Sequence, residues 1–192
     1  MVGETQFTVR DIVTLAACFV LYMAVFVAIV HIAILLLPLS FSFLPIILAF
    51  FEGTVYLLLI RRVGKPGIVT LFSCLISFFI LIFGHGAFIA IGPIFGILAD
   101  GVLYQRQKLW FYQVISYLLF SLWAFSLTLP FYFSIDAFAH SLPVTELGPQ
   151  INAAILEWMS DWSLIPMVLI TLAAAWAGIY AGKALLNRAA LR

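Results

Sequence analysis

The stretch IVTLAACFVLYMAVFVAIVHIAILLL, residues 12–37, decides the class of this protein. It contains no acidic residue, no lysine and no arginine. It is also longer than the roughly 20 residues that an α-helix needs to cross the hydrocarbon core of a bilayer, and longer than the apolar core of a signal peptide. The stretch therefore predicts a membrane-spanning helix that is retained in the protein.

The rest of the chain repeats this pattern. Of its 192 residues, 66% are hydrophobic and only 9% are charged, and a soluble fold could not bury so much apolar surface. The net charge of +1 offers no basic field to a nucleic acid. We predict an all-α, polytopic membrane protein in which residues 1–192 form a single domain. Its six predicted transmembrane helices cover about residues 12–37, 43–60, 68–83, 87–104, 111–133 and 164–186.

The connector between the fifth and sixth spans, residues 134–161, is the only long one. It has four acidic residues and no basic residue. Apolar side chains repeat within it at helical spacing, from Ile151 through Ile155 to Trp158 and Met159. This spacing predicts a short amphipathic helix that lies on the membrane face or over a cavity.

Basic residues set the predicted orientation. In a six-span arrangement all nine fall on one side: Arg10, Arg61, Arg62, Lys65, Arg106, Lys108, Lys183, Arg188 and Arg192. Because loops rich in lysine and arginine stay in the cytoplasm, both termini are predicted to be cytoplasmic. The expected location is the inner (plasma) membrane of a bacterium.

Motifs of membrane enzymes and ATPases are missing from the sequence. The Gly-Lys pairs at Gly64 and Gly182 lack the upstream glycine and the hydroxyl residue of a phosphate-binding loop. Neither Gly-x-Ser near a histidine nor His-Glu-x-x-His occurs. We therefore expect a protein that is not an enzyme and that needs no cofactor or metal of its own.

Two acidic residues fall within predicted spans. Glu52 lies nine residues before Arg61, so a rise of 1.5 Å per residue puts it about 13 Å from the cytoplasmic end. A carboxylate at that depth is costly. Three interpretations stay open: a protonated acid bonded to a neighbouring hydroxyl, a contact with substrate, or a place in a partner's interface. Asp100 is expected in an ion pair or at a helix end.

Small residues recur at four-residue spacing in three of the predicted spans. Such stripes let helix backbones approach closely, either within the protein or against another membrane protein. The three stripes are Ala24-x-x-x-Ala28, Gly92-x-x-x-Gly96 and Ala174-x-x-x-Gly178-x-x-x-Gly182.

Histidines, tryptophans and one acid collect on the predicted outer side. Singly they are typical of an aromatic belt or of bonds to backbone carbonyls, but together they predict a cavity that binds a small molecule. The predicted substrate-binding residues are His31, His85, Trp123, Asp136, His140, Trp158 and Trp162. His85 stands between two glycines, so its imidazole could ligate the iron of a haem-like cargo, or the motif could serve only as a tight turn.

These patterns resemble a known family, the Trep_Strep group of integral membrane proteins, which is similar to the substrate-binding S-components of energy-coupling factor (ECF) transporters. The resemblance spans nearly the whole chain. It is carried by Gly84-His85-Gly86, Gly92, Phe95-Gly96, Ala99-Asp100, Ser121-Leu122-Trp123, Leu129-Pro130, Asp136-Ala137, Trp162, Pro166 and the ending from Gly178 to Arg188. Glu52 and Ala87 depart from the residues usual in the group.

The resemblance implies an importer subunit. S-components capture a vitamin or similar micronutrient outside the cell and dock on a membrane coupling subunit that carries two cytoplasmic ATPases. In that family a small-residue stripe on the first helix contacts the coupling subunit, and Ala24 and Ala28 match it in type and place. The alternatives are a self-sufficient secondary transporter or permease and, third, a structural or sensory membrane protein.

Overall fold

The computed structural model describes residues 7–36, 43–82, 90–104, 106–129 and 164–190. Within these ranges the regular structure is helical throughout, which confirms the predicted all-α class. The helices are α1 (Val9–Leu36), α2 (Leu44–Phe51), α3 (Gly53–Val63), α4 (Ile68–Ile82), α5 (Ile91–Leu103), α6 (Trp110–Ser121), a 3-10 helix (Leu122–Leu127) and α7 (Leu164–Ala190).

Among the described residues, three helical segments are long and apolar enough to cross a bilayer by themselves. They are Val9–Ile32, Trp110–Leu127 and Leu164–Ala189. The pair α2 and α3 makes a fourth if it is taken as one bent span. Helices α4 and α5 are apolar but have only 15 and 13 residues, which is short of the bilayer's hydrocarbon thickness. The structure thus supports three to four spans, and the count of six stays a prediction.

The second predicted span is not the continuous helix that we expected over residues 43–60. It breaks at Glu52, and the axes of α2 and α3 differ by 42°. Glycine favours such a break because it is a poor helix former, and Gly53 follows Glu52 directly. A Cβ atom at Gly53 would lie only 2.8 Å from the backbone of Gly178 in α7. The bend therefore goes together with close backbone contact between two helices.

The helices form a closed ring. Around it, α1 packs on α3, the α2–α3 pair on α7, α7 on α6, α6 on α5, α5 on α4, and α4 again on α1. The interior is filled by aromatic side chains that are at most 1% exposed: Tyr22, Tyr56, Phe72, Tyr117, Phe120 and Trp123. Their rings meet edge-on or tilted, with centroids 4.9–6.4 Å apart, the range in which aromatic pairs attract.

Cationic side chains gather where several helices end, and we call this the cationic end of the bundle. Lys65 Nζ, after α3, lies 2.7 Å from the carboxylate of Asp11 near the start of α1. Lys183 Nζ of α7 lies 4.0 Å, and the Arg61 guanidinium carbon of α3 6.0 Å, from the ring centre of Trp110, which begins α6. These contacts agree with cationic residues sharing one side. The cytoplasmic orientation of that side stays a prediction.

Candidate functional site

The side chain of Glu52 lies at the bend between α2 and α3 and is 2% exposed. Its backbone still follows the helical path: its N–H donates to the Leu48 carbonyl at 2.9 Å, and its carbonyl accepts from the Tyr56 N–H at 3.0 Å. The bend therefore places a carboxyl group inside the ring of helices without freeing the Glu52 backbone. A group that is expensive to bury is held in the centre of the molecule.

A chain of two hydrogen bonds leads to this carboxyl group. The indole Nε1 of Trp123 donates to the Tyr22 hydroxyl at 2.6 Å, and the Tyr22 hydroxyl donates to Oε2 of Glu52. An indole N–H can only donate, so the phenol oxygen accepts this bond and its own proton is available for the carboxyl group. The two hydrogen bonds run from Trp123 through Tyr22 to Glu52.

The other carboxyl oxygen, Oε1 of Glu52, is buried and has no hydrogen-bond partner among the described residues. Buried polar atoms are nearly always bonded, because leaving one unpaired costs free energy. Tyr22 gives this carboxyl group its only side-chain hydrogen bond, and no cation pairs with it among the described residues. The site is an incompletely satisfied acid in an aromatic core.

Two further phenols surround the bend. The Tyr117 hydroxyl donates to the Ala49 carbonyl in the last turn of α2 at 2.5 Å, where helix carbonyls lack partners of their own. The Tyr56 hydroxyl lies 2.5 Å from Oγ of Ser116, which itself donates to the Ala99 carbonyl at 2.8 Å. Tyr56 is therefore the donor to Ser116. These bonds join α2, α3, α5 and α6 around the carboxyl group.

Two of the three small-residue stripes are used for packing inside the protein. A Cβ at Gly178 would lie 2.8 Å from Cα of Phe50, and one at Gly182 would lie 2.8 Å from Cα of Thr54. On the other side of the ring, the glycines of the second stripe, Gly92 and Gly96, face the side chains of Ser77 and Ser73. Close packing of α7 on the bend and of α5 on α4 accounts for both stripes.

The third stripe is different, because Ala24 and Ala28 of α1 are both exposed. Around them on α1 lie larger exposed side chains: Val20 is 66%, Leu21 47% and Val27 39% exposed. On a helix that spans a bilayer, exposed apolar side chains contact lipid or a partner. The two alanines make a shallow depression in the outer surface of α1 that no described part of the chain fills.

The structure confirms one of the two roles expected of Asp100, the contact at a helix end. Its carboxylate accepts from the Thr70 N–H at 2.7 Å, the Thr70 hydroxyl at 2.6 Å and the Val69 N–H at 3.3 Å. These donors belong to the first turn of α4, whose N–H groups have no partner within the helix and whose dipole favours a negative charge. Asp100 therefore caps α4 from α5, and in the described residues it makes no ion pair.

Most of the predicted substrate-binding residues lie outside the described residues: His85, Asp136, His140, Trp158 and Trp162. The predicted amphipathic helix lies there too. His31 is exposed on α1, and its Nδ1 donates to the Val27 carbonyl at 2.8 Å. Trp123 is 1% exposed, and its indole N–H donates to the Tyr22 hydroxyl. The structure does not bring His31 and Trp123 into one surface, and their roles in binding stay predictions.

Tyr22 and Tyr117 are site residues that the sequence analysis missed. The sequence does indicate that Tyr22 and Glu52 lie at a similar depth in the membrane. Tyr22 follows Asp11 by eleven residues, and Glu52 precedes Arg61 by nine. At 1.5 Å per residue both lie about 13–17 Å from the cationic end. A polar residue on one span at the depth of an acid on another is a candidate partner. No comparable signal distinguishes Tyr117 from the other aromatic residues of its span.

Long apolar helices in a closed ring, with a polar cluster buried at their centre, define an integral membrane protein of the all-α class. The chain belongs to the Trep_Strep family of hypothetical bacterial integral membrane proteins, which matches residues 9–189. No curated protein and no solved structure matches the chain. The family establishes a bacterial membrane protein, and the activity has to be argued from the residues.

Proposed function

We propose that this chain is the substrate-capturing S-component of an ECF-type importer in the inner membrane of a bacterium. It binds a micronutrient on the outer face. It then delivers the cargo inward together with a membrane coupling subunit and two cytoplasmic ATPases. The sequence has no phosphate-binding loop, which fits a subunit whose energy comes from partners.

The observation that carries the proposal is the exposure of Ala24 and Ala28. Helices in lipid associate through small residues, because lipid tails give apolar side chains no reason to leave them. The other two stripes already have partners inside the protein. The stripe on α1 has none among the described residues, and a helix of the coupling subunit would fill the depression between the larger side chains.

The proposed cargo is a vitamin or a planar cofactor, with haem as one candidate. Its site is the predicted outer cavity with His31, His85, Trp123, Asp136, His140, Trp158 and Trp162. Neutral imidazole can ligate iron, and indole rings can stack on a flat molecule.

A self-sufficient small secondary transporter is the second candidate, and one specific observation favours it. Helices that break near mid-membrane beside an ionisable residue are typical of secondary transporters, and the bend at Glu52 has both features. The two candidates differ in their partners. An S-component needs ATPases, whereas a secondary transporter works without them.

The exposed stripe provides the experiment. Replacing both alanines by leucine, Ala24→Leu with Ala28→Leu, adds bulk where a partner helix would approach. We expect a coupling subunit and ATPases to co-purify with the affinity-tagged wild-type chain, and we expect the double variant to lose them. The matched control is Ala173→Leu, the same change at an exposed position of α7, which should keep them. Equal recovery from the double variant and the control would refute the docking role.

Titration of the purified protein with haem tests the cargo. Ligation by His85 should shift the Soret band, and His85→Ala should remove the shift while the protein stays folded. An unchanged Soret band with the wild-type protein would exclude haem. A shift that survives His85→Ala would mean that this histidine is a turn residue.

A further inference from the structure

We infer that Glu52 is a binding site for one exchangeable proton at the centre of the bundle. The inference stands on the buried carboxyl group, its single hydrogen-bond donor and its bare oxygen, and it does not depend on whether the protein works with ATPases. It assigns this acid a ligand of its own, separate from the cargo.

Solvation is the first step of the argument. Glu52 is 2% exposed, and an ionised carboxylate in such a place needs a cation or several donors to replace the water that it lost. Among the described residues it has one donor, the Tyr22 hydroxyl. Asp100 makes a useful comparison, because that carboxylate accepts three hydrogen bonds at a helix start. The environment of Asp100 suits a charged group, and that of Glu52 suits a neutral acid.

The position of the proton follows from the direction of the hydrogen bonds. Trp123 donates to Tyr22, and Tyr22 donates to Oε2, so Oε2 acts as an acceptor. A neutral carboxyl group then carries its proton on the other oxygen, Oε1, which is the atom without a partner. Binding forms one O–H bond on Oε1 from a hydronium ion and leaves water. Release returns the proton to water.

A proton suits this place better than a metal ion. Metal ions require several oxygen or nitrogen ligands, and Oε1 is the only bare carboxylate oxygen in the described core. Across the described residues, no three histidine, cysteine, aspartate or glutamate side chains cluster in a way that could hold a metal. One free oxygen in an aromatic core can hold a proton without further ligands.

Among the described residues, the helices packed around Glu52 bring no competing charge to its carboxyl group. The described phenols nearest the bend are those of Tyr22 on α1, which bonds the carboxyl group, and Tyr117 on α6, which bonds the Ala49 carbonyl. Tyr56 of α3 is directed to Ser116. Asp100 of α5 is bonded at the first turn of α4, and Lys183 and Tyr180 of α7 both contact the Trp110 ring. Release of the proton would leave the carboxylate with Tyr22 alone, so it requires water or a cation to enter beside the bend.

Infrared difference spectroscopy of the purified protein tests the inference. The carbonyl stretching band of a protonated carboxyl group should be present in the wild-type spectrum near neutral pH and missing from Glu52→Gln. It should shift in D2O and disappear reversibly as the pH is raised. Asp100→Asn, a carboxyl-to-amide change at the other buried acid, should leave the band in place.

Tyr22→Phe assigns the band even if Glu52→Gln does not fold. This change removes the donor to Oε2 and retains the acid, and a carbonyl that loses a hydrogen bond stretches at higher frequency. We expect an upward shift of the same band. Absence of a Glu52-dependent band at every pH would show that the residue is ionised and would overturn the inference. A band that neither exchanges in D2O nor titrates would overturn it too, because Glu52 would then be a fixed structural acid.

Discussion

Substitution of Gly178 by alanine tests the close packing of α7 against the bend. A Cβ atom at this position would lie 2.8 Å from Cα of Phe50, with the Phe50 carbonyl oxygen also in the way. Carbon atoms in contact prefer about 3.5–4.0 Å, so α7 would have to move away from α2 by roughly 1 Å. Backbone atoms cannot rotate aside as a flexible side chain can. The bend and the Glu52 site would move with them.

The size of the effect follows from two opposing terms. Overpacking of this kind costs about 1–3 kcal/mol, while alanine is favoured over glycine within a helix by up to about 1 kcal/mol. The control Gly101→Ala has only the second term, because nothing lies within 4 Å of a Cβ there. We therefore expect Gly178→Ala to be less stable than Gly101→Ala by about 1–3 kcal/mol.

Thermal unfolding in detergent measures this difference. At roughly 2–4 °C per kcal/mol for a chain of this size, Gly178→Ala should melt roughly 2–12 °C below Gly101→Ala. Gly182→Ala, which faces Cα of Thr54 at 2.8 Å, should also melt below the control. Equal melting temperatures for the Gly178 and Gly101 variants would refute the backbone contact between α7 and the bend.

Three further predictions concern the capping of α4, the bend and the topology. Asp100→Ala should lower the free energy of unfolding by about 1–2 kcal/mol in denaturant titrations, because the first turn of α4 loses its acceptor; no loss would mean that the cap is dispensable. Tyr117→Phe should lower the free energy of unfolding by about 1 kcal/mol in thermal unfolding. The Tyr112 hydroxyl accepts only from exposed Arg106 among the described residues, so Tyr112→Phe should lower it by less. The reverse order would contradict the role of Tyr117. In intact cells, an impermeant thiol reagent should label a cysteine at Ser40 and spare one at Gly64, and the opposite pattern would invert the orientation.

The positions of the first and last helices could be predicted from the sequence. Residues 12–37 were expected as the first span and α1 is Val9–Leu36; residues 164–186 were expected as the last and α7 is Leu164–Ala190. Long uncharged runs can hardly form anything else in a bilayer. The break at Glu52 was not predicted. It goes together with close contact between Gly53 and Gly178 of α7, and these two residues are far apart in the sequence.

The candidate site was predictable only in part. Glu52 stood out because an acid within an apolar run carries a known energetic cost. Its hydrogen-bond partner Tyr22 is 30 residues away, and Trp123, which donates to Tyr22, lies 101 residues from Tyr22. Such pairings arise from tertiary packing, which hydropathy does not encode. Of the open interpretations of Glu52, the bond to a neighbouring hydroxyl is present, and contact with a substrate or with a partner stays a prediction.

Small-residue spacing likewise could not distinguish a packing face from a docking face. The stripe on α5 packs against α4, and the stripe on α7 packs against the bend, whereas the stripe on α1 is exposed. Spacing reports only that a helix surface is smooth. Which neighbour covers that surface is decided by the arrangement of the whole ring.

ATP hydrolysis in material purified with the tagged wild-type chain tests the central claim most directly. The chain should be isolated from the membranes of its own bacterium in mild detergent and assayed for hydrolysis, with the subunits identified by mass spectrometry. The S-component account predicts a membrane coupling subunit, two phosphate-binding-loop ATPases and measurable hydrolysis. A chain that is recovered alone, without ATPase activity, and that still supports uptake in cells lacking such ATPases would contradict the account and favour the secondary transporter.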